Sequence, residues 1–166
     1  ILNIAVDAMG GEGSPKKTLD GIINHSKTTE NVNYNIFGNK NEIKNLIKDL
    51  GKNSFKIFDT KDQILDSDSP LTAARKGKNS SMWKAIESVK IRESDIIISA
   101  GNTGALFVIA KMNLEMIENI DKPALSALWP NKFGMNVVLD LGANIECSEK
   151  NLTDFAIMRS SLFKSL

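Results

Sequence analysis

Short aliphatic and β-branched runs that end on glycine turns and hand over to helical periodicity recur along this chain. That alternation constrains the fold more than any other feature. Leu2–Asp7 reads as a strand running into Ala-Met-Gly-Gly. Pro15 suits a first helical turn, and Leu19, Ile22 and Ile23 follow with the spacing of a buried stripe. Residues 33–37 predict a second strand ended by Gly38, and Ile43, Leu46, Ile47 and Leu50 predict a helix closed by Gly51. A third strand is expected over 55–58. Residues 59–81 are polar, broken by Pro70, and give no clear element. Met82, Ala85, Ile86 and Val89 predict the next helix. Residues 95–99 (DIIIS) form a continuous apolar run, the pattern of a strand buried on both faces of a parallel sheet. A helix over 103–117, strands over 125–129 and 137–141 that stop at the breakers Pro130 and Gly142, and a last helix opening near Asn151 and Asp154 complete the reading.

Such alternation predicts an α/β fold, a mostly parallel sheet with helices on both faces in a three-layer αβα arrangement. With 166 residues and no repeat or linker, residues 1–166 read as one α/β domain. The final helix is still apolar at Leu162, Phe163 and Leu166, so we expect the chain to be part of a longer protein.

Charge excludes one broad class. Lys+Arg number 21 against 20 Asp+Glu, a net +1, too little field for a nucleic-acid binder. The single Cys147 and single His25 offer no zinc set, so no metal is expected, and a reducing cytoplasm is the default compartment. No apolar stretch approaches the ~20 residues that span a bilayer. We expect a soluble intracellular protein. Cys147 reads as structural, His25 as a surface residue, and Met82, Met112, Met116, Met135, Met158, Trp83 and Trp129 as packing residues.

Three loops follow predicted strands and bring glycine to places where a backbone approaches closely: 7–13 (DAMGGEG), 99–104 (SAGNTG) and 140–144 (DLGAN). In parallel sheets such loops meet helix N-termini and favour an anion. Candidate ligands of a phosphate group are Gly10, Gly11, Ser99, Gly101, Thr103, Gly104 and Gly142, with Asn102 and Asn144 as neutral donors. Glycine that merely ends a strand is the alternative for each loop. Asp7 and Asp140 could bind a donor on the ligand or cap the turn that follows. Arg75, Lys78, Ser80 and Ser81 belong to a cationic run that could clamp a phosphate or an acidic partner, or be a solvated loop with a serine N-cap. No G-x-G-x-x-G with an acidic residue ending the second strand and no phosphate-loop motif is present, so no nucleotide cofactor is implied.

Residues 4–11 (IAVDAMGG), 80–82 (SSM), 99–105 (SAGNTGA), 121–124 (DKPA), 138–144 (VLDLGAN) with Cys147, and 155–158 (FAIM) occur in one order. That series resembles the bacterial phosphate acyltransferases of phospholipid synthesis, the PlsX family. The resemblance covers nearly the whole chain and matches the N-terminal half of a family member. It implies an isocitrate/isopropylmalate dehydrogenase-like fold related to phosphotransacetylase. It implies transfer of a fatty acyl group from acyl carrier protein to inorganic phosphate, without metal or nucleotide. It also implies a cytoplasmic homodimer loosely attached to the membrane. A short-chain acyl-coenzyme A phosphate acyltransferase and a non-catalytic domain that binds phosphate or acyl carrier protein are the alternatives. On this resemblance Asn102, Asp140 and Asn144 are the catalytic candidates, and the 75–81 run faces the carrier protein or the phosphate. A Lys-bearing segment associated with the family's active site lies outside the 166 residues. Two positions depart from the family pattern: Glu12 stands where Asp is usual, and Arg159 where Gly is usual.

Overall fold

Strands β1 (Leu2–Asp7), β2 (Val32–Gly38), β3 (Ser54–Asp59) and β4 (Ile96–Ser99) pair in parallel in the order β3-β2-β1-β4. A computed structural model describes residues 1–166 and divides them into two units, Ile1–Leu114 and Glu115–Leu166. The sheet belongs to the first. Alternation along β1 sends Ile4 and Val6 to one face and Ala5 to the other. On the Ile4 face, Leu19 and Ile22 of α1 (Lys16–Ser26) and Ile43 of α2 (Lys40–Leu46) pack over Tyr34 and Ile36. On the Ala5 face, Ala85 of α4 (Ser81–Lys90) packs against Phe37. Met82 and Ile86 of α4 continue that layer into α3 (Pro70–Lys76) and α5 (Thr103–Asn113), through Ala73, Ala74, Ala105 and Ile109. The first unit is therefore the expected α/β fold, helices on both faces of a parallel sheet.

Several boundaries differ from the sequence reading. Helix α2 stops at Leu46, and Ile47 is already extended at φ −111° and ψ 124°. Ile47 and Leu50 are buried from a loop, and Gly51, at φ 63°, turns the chain with its N–H on Asp49 Oδ1 at 2.9 Å. Helix α3 lies in the stretch that gives no clear element in the sequence; Ser69 caps it and Pro70 opens it. Helix α5 ends at Asn113, whose amide folds back onto the Ile109 carbonyl at 2.9 Å. The largest departure is β4. It pairs with β1 alone, and Ile96 and Ile98 are 50% and 51% exposed, so this strand is not buried on both faces.

In the second unit β5 (Ser126–Asn131) and β6 (Gly134–Leu139) form an antiparallel hairpin. Pro130 lies within β5 rather than beyond it, tolerated in a two-stranded ribbon where one side needs no donor. Helix α6 (Glu149–Ser165) begins with a capping box: Ser148 accepts from the Asn151 N–H and the Asn151 side chain accepts from the Ser148 N–H. Arg159 leaves the helix surface to donate from Nε to the Val137 carbonyl at 3.2 Å and to lie over Phe163. Met82 and Trp83 are buried as expected, whereas Met112, Met116, Met135 and Trp129 are exposed. No helix is long and apolar enough to cross a membrane.

Candidate functional site

The chain runs outward from β1 to β2 to β3 and then returns to lay β4 on the other side of β1. The strand order thus reverses at β1 and β4, and the carboxyl ends of the strands at such a reversal are where ligands of open α/β sheets bind. Asp7, the last residue of β1, lies at this end of the sheet and is only 1% exposed. Its Oδ1 accepts from Ser81 Oγ at 2.5 Å and its Oδ2 from Ser99 Oγ at 2.7 Å. The Met9 N–H adds a longer bond at 3.3 Å. Ser81 opens α4 and Ser99 closes β4, so one carboxylate ties three element ends together. Ser99 Oγ also accepts from the Gly101 N–H at 3.2 Å, which fixes the start of the second loop.

The two glycine loops meet backbone to backbone. A Cβ on Gly10 would stand 2.5 Å from Asp7 Oδ2 and 2.8 Å from the Gly101 nitrogen. One on Gly11, at φ +87°, would stand 2.6 Å from the Ala100 carbonyl oxygen. Both positions need glycine because the loops press on each other.

Two helices begin beside this seam. Ser80 caps α4: its hydroxyl accepts from the Trp83 N–H at 3.2 Å and donates to the Gly77 carbonyl at 2.6 Å. Asn102 caps α5 through Oδ1, which accepts from the Ala105 N–H at 2.9 Å. Its Nδ2 reaches the carbonyls of Leu65, Asp66 and Asp68 at 3.3, 3.1 and 2.9 Å, so this side chain straps the turn ahead of α3 to α5. Gly104 lets α5 approach α3: a Cβ there would lie 2.6 Å from Pro70 Cγ. Thr103, Arg75 and Lys78 are exposed, and neither cation is in an ion pair. The structure thus brings Asp7, Gly10, Gly11, Ser81, Ser99 and Gly101 together, with Ser80 and Asn102 as the caps of the flanking helices. The first turn of α4 is buried, its Ser81 N–H on the Asp62 carbonyl at 3.2 Å and its Trp83 N–H on Ser80, whereas the Thr103 and Gly104 N–H groups of α5 lie outside the Asn102 cap, and the partial positive charge at that helix end suits an oxyanion. The Leu65–Asp68 strap has no signature in the sequence; Ser69-Pro70, a cap followed by proline at the first helical position, is the available signal for α3.

The second unit holds the third glycine loop. Asp140 takes the left-handed conformation at φ 58°, and Gly142 at φ 82° completes the turn. Asp140 Oδ1 accepts from Asn144 Nδ2 at 3.0 Å, and Asn144 Nδ2 also reaches the Pro123 carbonyl at 2.9 Å. Cys147 Sγ is 3.5 Å from Asp140 Oδ2. The Asn144 amide holds the Asp140 carboxyl below its usual value against the opposing effect of desolvation, with the Cys147 hydrogen bond and the charge of Lys122 acting the same way as the amide. Cys147 moves the other way: desolvation, and then the Asp140 carboxylate, push its thiol up. A thiol so held is a poor nucleophile.

The sequence matches the family described as fatty acid synthesis protein over residues 2–166. It is 67% identical over 166 residues to a phosphate acyltransferase of Pelagibacter ubique, covering all of this chain and 50% of that protein. A phosphate acyltransferase of Ehrlichia ruminantium is 41% identical over 99% of this chain and 50% of its own length. One of Rhodospirillum rubrum is 40% identical over 95% of this chain and 46% of its own length. The chain spans about half the length of these relatives, and its match along residues 2–166 shows that it belongs to the fatty acid synthesis protein family.

Proposed function

We propose that this chain forms part of a phosphate acyltransferase that moves a fatty acyl group from acyl carrier protein to inorganic phosphate. The observation that carries the reading is the seam where the Gly10–Gly11 and Ala100–Gly101 backbones meet between the N-termini of α4 and α5, in a chain whose relatives bear that name. A phosphate oxygen attacks the thioester carbonyl carbon, a C–O bond forms, and the carbonyl oxygen becomes an oxyanion. Collapse of that intermediate breaks the C–S bond and releases the carrier thiolate, leaving acyl phosphate. No covalent enzyme intermediate is needed. Main-chain donors fixed in advance favour the dianion and the developing oxyanion without reorganising during the reaction.

In this reading Gly10, Gly11, Gly101, Thr103 and Gly104 contact phosphate through the loop backbone and the Thr103 hydroxyl. Asp7, Ser81 and Ser99 hold the loops in place from below, and Ser80 and Asn102 fix the first turns of α4 and α5. Asp140, Gly142 and Asn144 set the turn of their own unit. Arg75 and Lys78, exposed and unpaired, suit the acidic carrier protein. The same reading takes a homodimer in the cytoplasm, in peripheral contact with the membrane, as the working form.

The test is a chimera in which this chain replaces the matching half of the Pelagibacter relative. Given palmitoyl-acyl carrier protein and labelled phosphate, it is expected to form acyl phosphate in step with free carrier thiol. A folded chimera that releases no thiol in the presence of phosphate would overturn the reading.

A further inference from the structure

A cleft of about 440 Å³ lies at the carboxyl end of the sheet, over β2 and β3 on the Ala5 face. Its base is the stacked pair Phe37 and Phe58, ring centroids 4.6 Å apart. Asn79 and Lys84 bound it on the α4 side, and residues 59–62 bound it where the chain leaves β3. Thr60 in that turn is 8% exposed, with its N–H on the Gly38 carbonyl at 3.0 Å. Its hydroxyl is the one buried side-chain polar atom of the molecule with no hydrogen-bond partner. Buried hydroxyls are seldom left so, which points to a partner at this wall. Charges in the cleft balance, Lys61 and Lys84 against Asp59 and Asp62. Lys84 already holds Glu87 at 2.7 Å, and Asp59 accepts from the Lys40 N–H at 3.0 Å. A free anion gains little from such a lining. Rings, a hydroxyl and the Asn79 amide fit a neutral chain that carries amides.

Position connects the cleft to the candidate site on one side and to a cationic surface on the other. Phe37 is the register partner of Asp7, and the Ala8 N–H donates to the Phe37 carbonyl at 2.9 Å. With the order β3-β2-β1-β4, the cleft over β3 and β2 and the seam at the ends of β1 and β4 lie two strand spacings apart, about 10 Å. Lys61 and Asp62 also line an adjoining cleft whose far side is Lys76 and Gly77 of the α3 end. Arg75, Lys76 and Lys78 there are exposed, and none is in an ion pair. We infer that the Phe37–Thr60 cleft takes the pantetheine arm of the acyl donor, the neutral amide-bearing chain that holds the thioester. Arg75, Lys76 and Lys78 receive the acidic carrier protein beside it. The arm then crosses from the cleft to the seam and sets the thioester carbonyl against the bound phosphate. This inference rests on the acyl-transfer reading for its ligand.

The test compares two forms of acyl carrier protein, holo with the arm and apo without it, by calorimetric titration of the chimera described above. Holo carrier is expected to bind at least about fivefold tighter than apo carrier. Asn79→Trp sets an indole in the cleft from an exposed position, and is expected to erase that preference while apo carrier binds as before. Thr60→Val keeps the shape and removes the hydroxyl. It is expected to narrow the preference about threefold without lowering the melting temperature, because the hydroxyl has no partner in the protein to lose. Equal binding of the two carrier forms to the unaltered chimera overturns the inference, and so does a preference undiminished in Asn79→Trp. Free pantetheine at millimolar concentration is expected to compete with holo carrier, as coenzyme A does, since both have the arm. Competition by coenzyme A alone would make the cleft a nucleotide site and overturn the inference too. The intact Pelagibacter relative, substituted at the residue aligned with Asn79, serves with the same outcomes if the chimera does not fold. Binding is read without turnover, so the two readings fail separately: a chimera that prefers holo carrier yet releases no thiol in the presence of phosphate overturns acyl transfer alone.

Discussion

Asp7 shows how a residue can be read correctly as important while its surroundings stay hidden. An aspartate at the end of a strand, before two glycines, can bind a ligand or hold a turn, and the sequence does not separate these. The structure places its carboxylate under the loops with both oxygens engaged by Ser81 and Ser99, residues distant in sequence that no spacing rule connects. Removing the carboxylate strands two buried or half-buried hydroxyls, each costing about 1–3 kcal/mol when left without a partner. Asp7→Ala is therefore expected to lower the melting temperature by several degrees, at about 2–4 °C per kcal/mol for a chain of this size. Ser99→Ala, which loses one of the two bonds and leaves the other, should fall by less. Differential scanning calorimetry of both variants checks the order; a milder Asp7→Ala would mean the hydroxyls find other partners.

At the scale of elements, periodicity locates most of the first unit and fails where the signal is short or opposed. β1, β2, β3 and α4 lie close to where their short apolar runs and i, i+3, i+4 spacing put them, β1 and β2 buried on both faces and α4 on its Met82, Ala85 and Ile86 face. The apolar spacing of Ile47 and Leu50 misleads, since a loop buries them as well as a helix would. Seven-residue α3 has too few turns to show a period, and only its cap betrays it. Capping also explains Asn102, whose type and position in the glycine loop are legible while its three carbonyl contacts are not. Loss of an ordinary cap costs about 1 kcal/mol. Ser69→Ala removes such a cap from α3, with one bond to the Thr72 hydroxyl at 2.8 Å, on an exposed turn where water replaces the partner. Asn102→Ala removes a cap and also frees the Leu65–Asp68 turn, so it is expected to cost more, about 2 kcal/mol by urea denaturation. Asn102→Asp keeps the cap oxygen but turns a carboxylate toward three carbonyls, and should be no better than alanine. Equal costs for Ser69→Ala and Asn102→Ala would remove the strap from the account.

Across the whole molecule, burial is unevenly shared. Val137 and Phe155 are the buried apolar side chains of Glu115–Leu166, whereas the sheet of Ile1–Leu114 is packed from both faces by residues such as Ile4, Val6, Leu19, Ile36, Ile86 and Ile109. A hairpin and one helix with so small a core depend more on polar ties. Those ties are on hand: Lys150 pairs with Asp121 at 3.0 Å and Asp154 at 2.7 Å, and Asp140 accepts from Asn144. Native-state hydrogen exchange should accordingly find the slowest amides in β1 and β2 and much faster ones in β5 and β6, since local opening is easiest where little apolar surface is buried. The ties also set a pH dependence. The folded Asp140 carboxyl titrates below its ordinary 3.8, so its contribution is complete above that value and is lost as pH falls through the lower folded one. Protection of the β5–β6 hairpin should therefore drop below about pH 4 more than that of β1, and Asp140→Asn, which carries no such titration, should flatten the acid step. The hairpin is where the step belongs because the Asp140 N–H itself donates to the Leu125 carbonyl at 2.7 Å, closing the two strands at the end where the carboxylate sits. An acid step of equal size in the variant would assign it to other carboxylates.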